Sequence, residues 1–313
     1  MMMPTGRRSP PVAVPVSERA RTQAFYQAVA AARYAPSAHN AQPWRWRVSD
    51  DGLDLFVDSG RMADVSDPDG RLAAISCGAA LHHARLALAA QGWRVTATRE
   101  PDGAGSGHLA RLHIDAVAAI GRRAARAAQS IRARCTDARP VTGEPLDPQE
   151  LSAVRSAVEA EGSRLHVLRP DQILRLVPAA APSGPVEPVE AQWHDELARW
   201  AGRGPSRTPG PRDRAATFAV LYGSAAERLD WLRAGEALSA AWLVATGLRI
   251  SVLPFSAPLE RAVTREAVER TLSDLGRPYL VVRLGRHAGP SVAPRTPRLP
   301  VEQIIDRPIT GSA

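Results

Sequence analysis

Apolar and small residues recur at helical spacing in two stretches that lie half a chain apart. Gly78, Ala79, Ala80, Leu81, Ala84 and Leu86 match Gly235, Glu236, Ala237, Leu238, Ala241 and Leu243 at a constant offset of 157 residues. Small residues at this spacing suit two helices that approach closely. A glycine suited to a helix end, Gly92 or Gly247, follows each run, and then comes a strand pattern, Trp93–Thr98 in one half and Leu248–Leu253 in the other. A further strand follows in each half, at His108–Asp115 and at Tyr279–Leu284. Upstream, the helical run Phe25–Tyr34 leads to an alternating strand at Trp44–Val48, and the run Leu151–Glu161 leads to Leu165–Leu168. Asp147, Pro148 and Glu150 supply an N-cap, a first-turn proline and a capping-box acid for the second of these helices. Each half is thus predicted to run helix, strand, long helix, strand, strand. The shared order points to a duplication packed as an intramolecular pseudo-dimer of α+β class.

Around this pattern the reading places a disordered tail at residues 1–17, a first half at 18–118 and a second half at 119–313. The second half carries a Pro/Gly-rich insertion near 178–214 around a helical island at Glu190–Trp200. The composition, 44% hydrophobic and 23% charged over 313 residues, excludes a wholly disordered chain. No uninterrupted apolar run reaches the roughly 20 residues of a membrane span. The first twenty residues carry four prolines where a signal peptide has its apolar core. The expectation is a cytoplasmic protein with no membrane partner.

A formal charge of +8 invites a nucleic-acid reading, but every basic residue is Arg, aromatics are only 5%, and no nucleic-acid-binding spacing occurs. The densest basic run, Gly121–Arg134, is read as a solvated helix with Ala and Ile facing the core, and no nucleic-acid partner is expected. Cys77 and Cys135 are too few and too far apart for a disulfide framework or a zinc site. His82 and His83 are adjacent on a helix, so their rings diverge, and no metal is assigned.

The most informative segment is Ala35-Pro36-Ser37-Ala38-His39-Asn40-Ala41-Gln42-Pro43-Trp44. Two prolines restrict the backbone while Ser37, Asn40 and Gln42 offer donors and acceptors between a helix and a strand. Physics alone leaves two readings open, a ligand-binding loop and a turn that caps its own backbone. His39 is placed as a proton donor would be, but is read as a loop histidine hydrogen-bonded to its surroundings.

The pattern APSxxNxQPW in this segment resembles the FMN-dependent nitroreductase family, in which the loop lies beside the flavin ring at the subunit interface. Arg134-Cys135-Thr136 resembles that family's R-x-S/T phosphate motif, Gly235–Thr246 its long central helix, and Gly276-Arg277-Pro278 to Gly285 its closing strand. Thr296-Pro297-Arg298 resembles its last phosphate-binding arginine. Asp67–Arg71 followed by Ile75–Leu81 is similar to the fused, Acg-like branch found in actinobacteria.

The resemblance implies a nitroreductase-like fold, FMN as cofactor, NAD(P)H as donor and a small planar acceptor such as a nitroaromatic or quinone. It assigns the flavin phosphate to Arg134, Thr136 and Arg298. Ala138 stands where the family often has a basic residue; either Arg139 replaces it or the contact near the flavin pyrimidine is lost. The ring falls to Pro36, Ser37, Asn40 and Gln42, and the backbone about Pro254, Phe255 and Ser256 approaches N5. No protein side chain is assigned as catalytic, because hydride chemistry belongs to the flavin. The arginines belong to the second half and the loop to the first, which predicts one composite site per chain and a monomer. The competing reading is a protein that sequesters FMN without turnover, whose correlate in the sequence is a cover formed by residues 178–214.

Overall fold

The computed structural model describes residues 17–50, 52–62, 67–139, 141, 143–180, 193–195, 197–198, 200, 215–287 and 296–306. The first half opens with helix α1 (Glu18–Ala32), followed by strands β1 (Trp44–Val48) and β2 (Leu53–Val57). Long helix α2 (Arg71–Ala90) then leads to β3 (Trp93–Arg99) and β4 (His108–Val117). Helix α3 (Arg122–Ala133) crosses to the second half. There α4 (Pro148–Ala160), β5 (Arg164–Val167), α5 (Pro170–Ala180) and β6 (Thr217–Gly223) precede the long helix α6 (Arg228–Gly247). Strand β7 (Ser251–Phe255), helices α7 (Ala257–Glu260) and α8 (Ala262–Leu272), and strand β8 (Arg277–Gly285) complete it.

The duplication is visible in the topology. One sheet has the order β1-β2-β4-β3 and the other β5-β6-β8-β7, which is the same order, and every pairing is antiparallel. Among the described residues each half holds one strand more than the sequence pattern predicts, β2 and β6. Both lack clean alternation: β6 is buried at five consecutive residues, and β2 buries Asp54 between Leu53 and Leu55. Strand β7 begins three residues after its predicted start, because Leu248 caps α6 and Arg249 turns through a left-handed backbone (φ 58°). The capping box at α4 forms as read, with Gln149 N donating to Asp147 Oδ1 at 2.7 Å and Asp147 N to Glu150 Oε2 at 3.0 Å.

The halves meet where α2 crosses α6, and glycine decides how closely. A Cβ on Gly78 would lie 1.9 Å from the carbonyl oxygen of Leu232, and one on Gly235 would lie 1.9 Å from that of Ile75. Leu232 and Ile75 are themselves 157 residues apart, so the crossing point lies on the pseudo-twofold axis. His82 Nδ1 and Ser239 Oγ, another equivalent pair, hydrogen-bond across it at 2.9 Å. Although no apolar run marked it as a span, α2 is long and apolar enough by composition to cross a membrane; here it is a core helix, buried over most of its length.

Two segments depart from a simple division into halves. Pro178 lies inside α5, so the insertion begins beyond the predicted boundary, and residues 181–192 and 201–214 lie outside the described residues. From the predicted island, Trp193, Leu197 and Trp200 are buried in the core of the second half, with Trp193 against Phe218 and Phe255. Residues 296–306 return to the first half. Trp46 N donates to Ile304 O and Asp306 N to Trp46 O, both at 2.7 Å, and Ile304 is buried with Trp44 and Trp46. The predicted tail at 1–17 lies outside the described residues except Ser17, whose side chain caps α1.

Candidate functional site

The loop after α1 shows features of both readings. Its backbone is left-handed at His39 (φ 50°), Asn40 (φ 56°) and Gln42 (φ 50°), which costs of order 1 kcal/mol or more per residue when the residue bears a Cβ. Anchors on both flanks hold it. Ala38 N donates to Ser76 Oγ at 3.2 Å, Gln42 N to Ser37 Oγ at 3.0 Å, and the Cys77 thiol to Pro43 O at 3.3 Å. Burial pushes that thiol far up, so Cys77 is an inert tether. Gln42 Oε1 accepts from Leu299 N at 3.0 Å and Asn40 Nδ2 donates to Pro297 O at 3.1 Å, so the returning segment is fastened to the loop.

That segment carries Arg298 to the end of α3, where Arg134 stands. Arg134 is 6% exposed; its Nη2 donates to Tyr34 O at 3.3 Å and its guanidinium lies 4.6 Å from the ring centre of Trp242. Among the described residues its Nε and Nη1 are buried without a hydrogen-bond partner, and so is Nε of Arg298. Arg298 otherwise donates through Nη1 to Asn40 Oδ1 at 2.9 Å and Thr296 Oγ1 at 2.7 Å. Burial, and after it the charge of Arg298, pull the Arg134 guanidinium down to about 10; burial also lowers Arg298. Among the described residues no carboxylate ion-pairs with either arginine, so two adjacent cations leave N–H groups unpaired. An anion with several acceptor oxygens would satisfy them.

The loop that carries Thr136 is fixed from behind. Arg283 of β8, fully buried, donates to Asp137 O at 2.8 Å and Arg139 O at 2.9 Å. The hydrogen bonds of Arg139 to Asp137, with His287 at 3.1 Å, hold the Asp137 carboxyl at about 2, well below the usual carboxylate range.

Between the halves lies a cavity of about 450 Å³, within the ~300–1,000 Å³ common for small-molecule sites. The first half contributes Pro36, Ser37, His39 and Asn40 from the loop and Leu72, Ile75, Ser76 and Ala79 from α2. The second contributes Leu238 and Trp242 from α6, Leu253, Pro254 and Ser256 around β7, and Leu280 from β8. Thr136, Thr296 and Arg298 add polar groups. Of the sequence-predicted residues, Pro36, Ser37, Asn40, Thr136, Pro254, Ser256 and Arg298 therefore line one space, and Arg134 stands on its Trp242 wall. Three do not line it. Gln42 is spent on Leu299 and the loop. Phe255 is turned by strand alternation onto Trp193 in the core. Arg139 is engaged by Asp137, Nε to Oδ1 at 2.9 Å and Nη2 to Oδ2 at 2.7 Å, so it is not free to replace the residue absent at Ala138. Sequence reasoning missed Trp242, Ser76 and Ala79; the small residues on both long helices, read only as helix packing, are the signal that could have found them.

The pseudo-symmetric position is built differently. The equivalents of cavity-lining Ala79 and Trp242 are Glu236 and Arg85. Glu236, 0% exposed, binds Arg85 and Arg99 at 2.7 Å each, and Arg85 also binds Glu161 at 2.7 Å. An ion-pair cluster thus stands where the second copy of the cavity would be.

No family model matches the sequence. A Mycobacterium tuberculosis protein provisionally named NAD(P)H nitroreductase, Rv3131, is 32% identical over 309 residues, covering 88% of each chain. Another from that organism, provisionally named NAD(P)H nitroreductase Acg, is 28% identical over 318 residues, covering 91% of this chain and 96% of its own. Among solved structures, a Bacteroides fragilis nitroreductase with bound FMN is 17% identical and covers 54% of this chain and 93% of its own, with a TM-score of 0.36. With identity at that level across most of both chains, the protein belongs to the nitroreductase family.

Proposed function

We propose that this chain is an FMN-dependent oxidoreductase that passes electrons from NAD(P)H to a small planar acceptor such as a nitroaromatic or quinone, with one flavin per chain. The observation that carries the proposal is that buried Arg134 and half-buried Arg298 hold N–H groups without a partner among the described residues, beside an apolar cavity between the halves. A flavin monophosphate fits this chemistry: its phosphate brings about two negative charges and its ring is planar with an apolar benzenoid end. Arg134, Arg298 and Thr136 would hold the phosphate, and the loop at Pro36, Ser37 and Asn40 would bind the ring from one side, with Pro254 and Ser256 on the other. When bound, FMN supplies hydride acceptance and release. The relatives' names support NAD(P)H as donor.

The chain's own residues orient and electrostatically bias. Leu72, Ile75, Leu238 and Leu280 give the ring an apolar wall, and the two guanidiniums would neutralise the anion. Single occupancy follows from the Glu236–Arg85 cluster, which fills the second position with charge. Turnover is favoured over sequestration because Trp193, Leu197 and Trp200, the described part of the candidate cover, are committed to the second core. Flavin extraction and stopped-flow reduction test the proposal together. The expected result is one FMN per chain, reduced by NADH or NADPH as well as by dithionite. Two equivalents would refute the composite site, and a flavin that only dithionite bleaches would favour sequestration.

A further inference from the structure

The loop that would bind the flavin ring holds one side chain without an assigned task, His39. His39 lines the main cavity and also a small chamber of about 20 Å³ next to it, which Arg61, Met62 and Asp67 bound. Of the described residues that line the cavity, only His39 and Arg298 are ionisable, and a guanidinium does not release its proton in this chemistry. The sequence suggested a histidine absorbed by its surroundings. In the structure the residue is exposed and its imidazole makes no hydrogen bond among the described residues.

The backbone beneath this free ring is held firmly. Ser76 and Ser37 fix the amides of Ala38 and Gln42, and Arg298 fixes Asn40, so the left-handed conformation at His39 is imposed from both sides. The charged groups nearest the ring are occupied elsewhere. Asp67 accepts from Leu72 N and Ala73 N at 2.8 Å each, Arg61 donates to Gln303 O at 2.8 Å and pairs with Asp58, and Arg298 is on Asn40 and Thr296. The ring is left with solvent on one side and the contents of the cavity on the other.

We propose that His39 is the catalytic acid that protonates the electron acceptor, an inference that rests on the oxidoreductase reading above. Reduction of a quinone by NAD(P)H needs it on balance. The nicotinamide C4–H bond breaks and its hydride equivalent, two electrons and one proton, reaches the quinone; a second proton must then come from elsewhere. The imidazolium N–H bond breaks as a quinone O–H bond forms, the nicotinamide is oxidised, the quinone is reduced, and the exposed imidazole takes its replacement proton from water. Histidine is the side chain type that exchanges protons readily near neutral pH.

The test compares the holoenzyme with His39→Gln, which keeps a polar side chain of similar reach but carries no exchangeable acid. Each is assayed with a benzoquinone and with ferricyanide, which accepts an electron without a proton. The expected result is a fall of ten- to a hundredfold in the quinone-to-ferricyanide rate ratio, and loss of the decline in that ratio as pH rises. A second readout needs no turnover: in protein labelled with ¹³C-histidine, the His39 signal, assigned by its absence in the variant, should move when FMN is added to apoprotein. An unchanged ratio with an unchanged pH profile overturns the assignment, as does a His39 signal that stays still while absorbance shows flavin bound. A wild-type protein that reduces neither acceptor refutes the oxidoreductase reading itself and the role of His39 with it.

Discussion

Replacing Arg134 by Met should weaken cofactor affinity while leaving apoprotein stability unchanged or raised. The guanidinium is buried on Trp242 with two of its nitrogens unpartnered among the described residues, and burial, then the charge of Arg298, pull it well below the usual arginine range, to about 10. At 1.36 kcal/mol per pKa unit this corresponds to a penalty on the charged form of roughly 3 kcal/mol in the empty protein. Substitution removes that penalty together with the hydrogen bond to Tyr34 O, which contributes about 1.5–3 kcal/mol, and Met keeps an unbranched apolar stem against the indole. The two terms nearly cancel, so the apo variant should unfold at a urea midpoint equal to or above that of the parent. FMN affinity should fall about ten- to a hundredfold for each charge-assisted bond to phosphate that is lost, whereas riboflavin, which has no phosphate, should bind nearly as before. Flavin fluorescence quenching measures both affinities. Equal losses for FMN and riboflavin, with an apo protein weakened by several kcal/mol, would show that Arg134 holds the fold and would refute the phosphate assignment.

The ion-pair cluster predicts that Glu236→Ala costs on the order of 3–5 kcal/mol by urea unfolding, because Arg99 and part of Arg85 lose a buried partner; a change below 1 kcal/mol would show that the cluster is not a lock between the halves. Gly235→Val should separate α2 from α6 and abolish flavin binding, read by absorbance of the purified protein, since even a Cβ would sit 1.9 Å from Ile75 O; retained stoichiometric flavin would contradict the close crossing. The Asp137 carboxyl is held below its unfolded value of 3.8, at about 2, so its contribution is present above about pH 4 and lost as pH falls towards 2. Asp137→Asn should therefore destabilise the protein at pH 6 and matter progressively less towards pH 2.5; a constant difference across that range would exclude the linkage.

Those parts of the fold written in local pattern were legible, and those written in distant pairing were not. The 157-residue offset identified both long helices because a close crossing demands glycine at the same point in each copy, a requirement that survives divergence elsewhere. Strands β2 and β6 were hidden by the burial that makes them central. A strand covered on both faces shows no alternation, and Asp54 in β2 is tolerated only because Arg111 and His108 reach it across the sheet. In the site, residue types gave the loop and the arginines. The engagement of Arg139 by Asp137, and of Gln42 by Leu299, required knowledge of which neighbours arrive from elsewhere in the chain. Trp242 was invisible as a site residue because a tryptophan in a core helix looks the same whether or not its other face borders a cavity.

The return of residues 296–306 to the first half has a consequence for the order in which the protein becomes competent. A ribosome completes both sheets by Gly285, yet the loop at residues 36–43 still lacks the partners that fasten it, Pro297, Arg298 and Leu299. On the proposed reading, nascent or prematurely stopped chains hold an incomplete phosphate pocket and leave the cell's flavin untouched. On that reading only chains translated past Leu299, with both halves packed, would gain the stabilisation that bound cofactor gives.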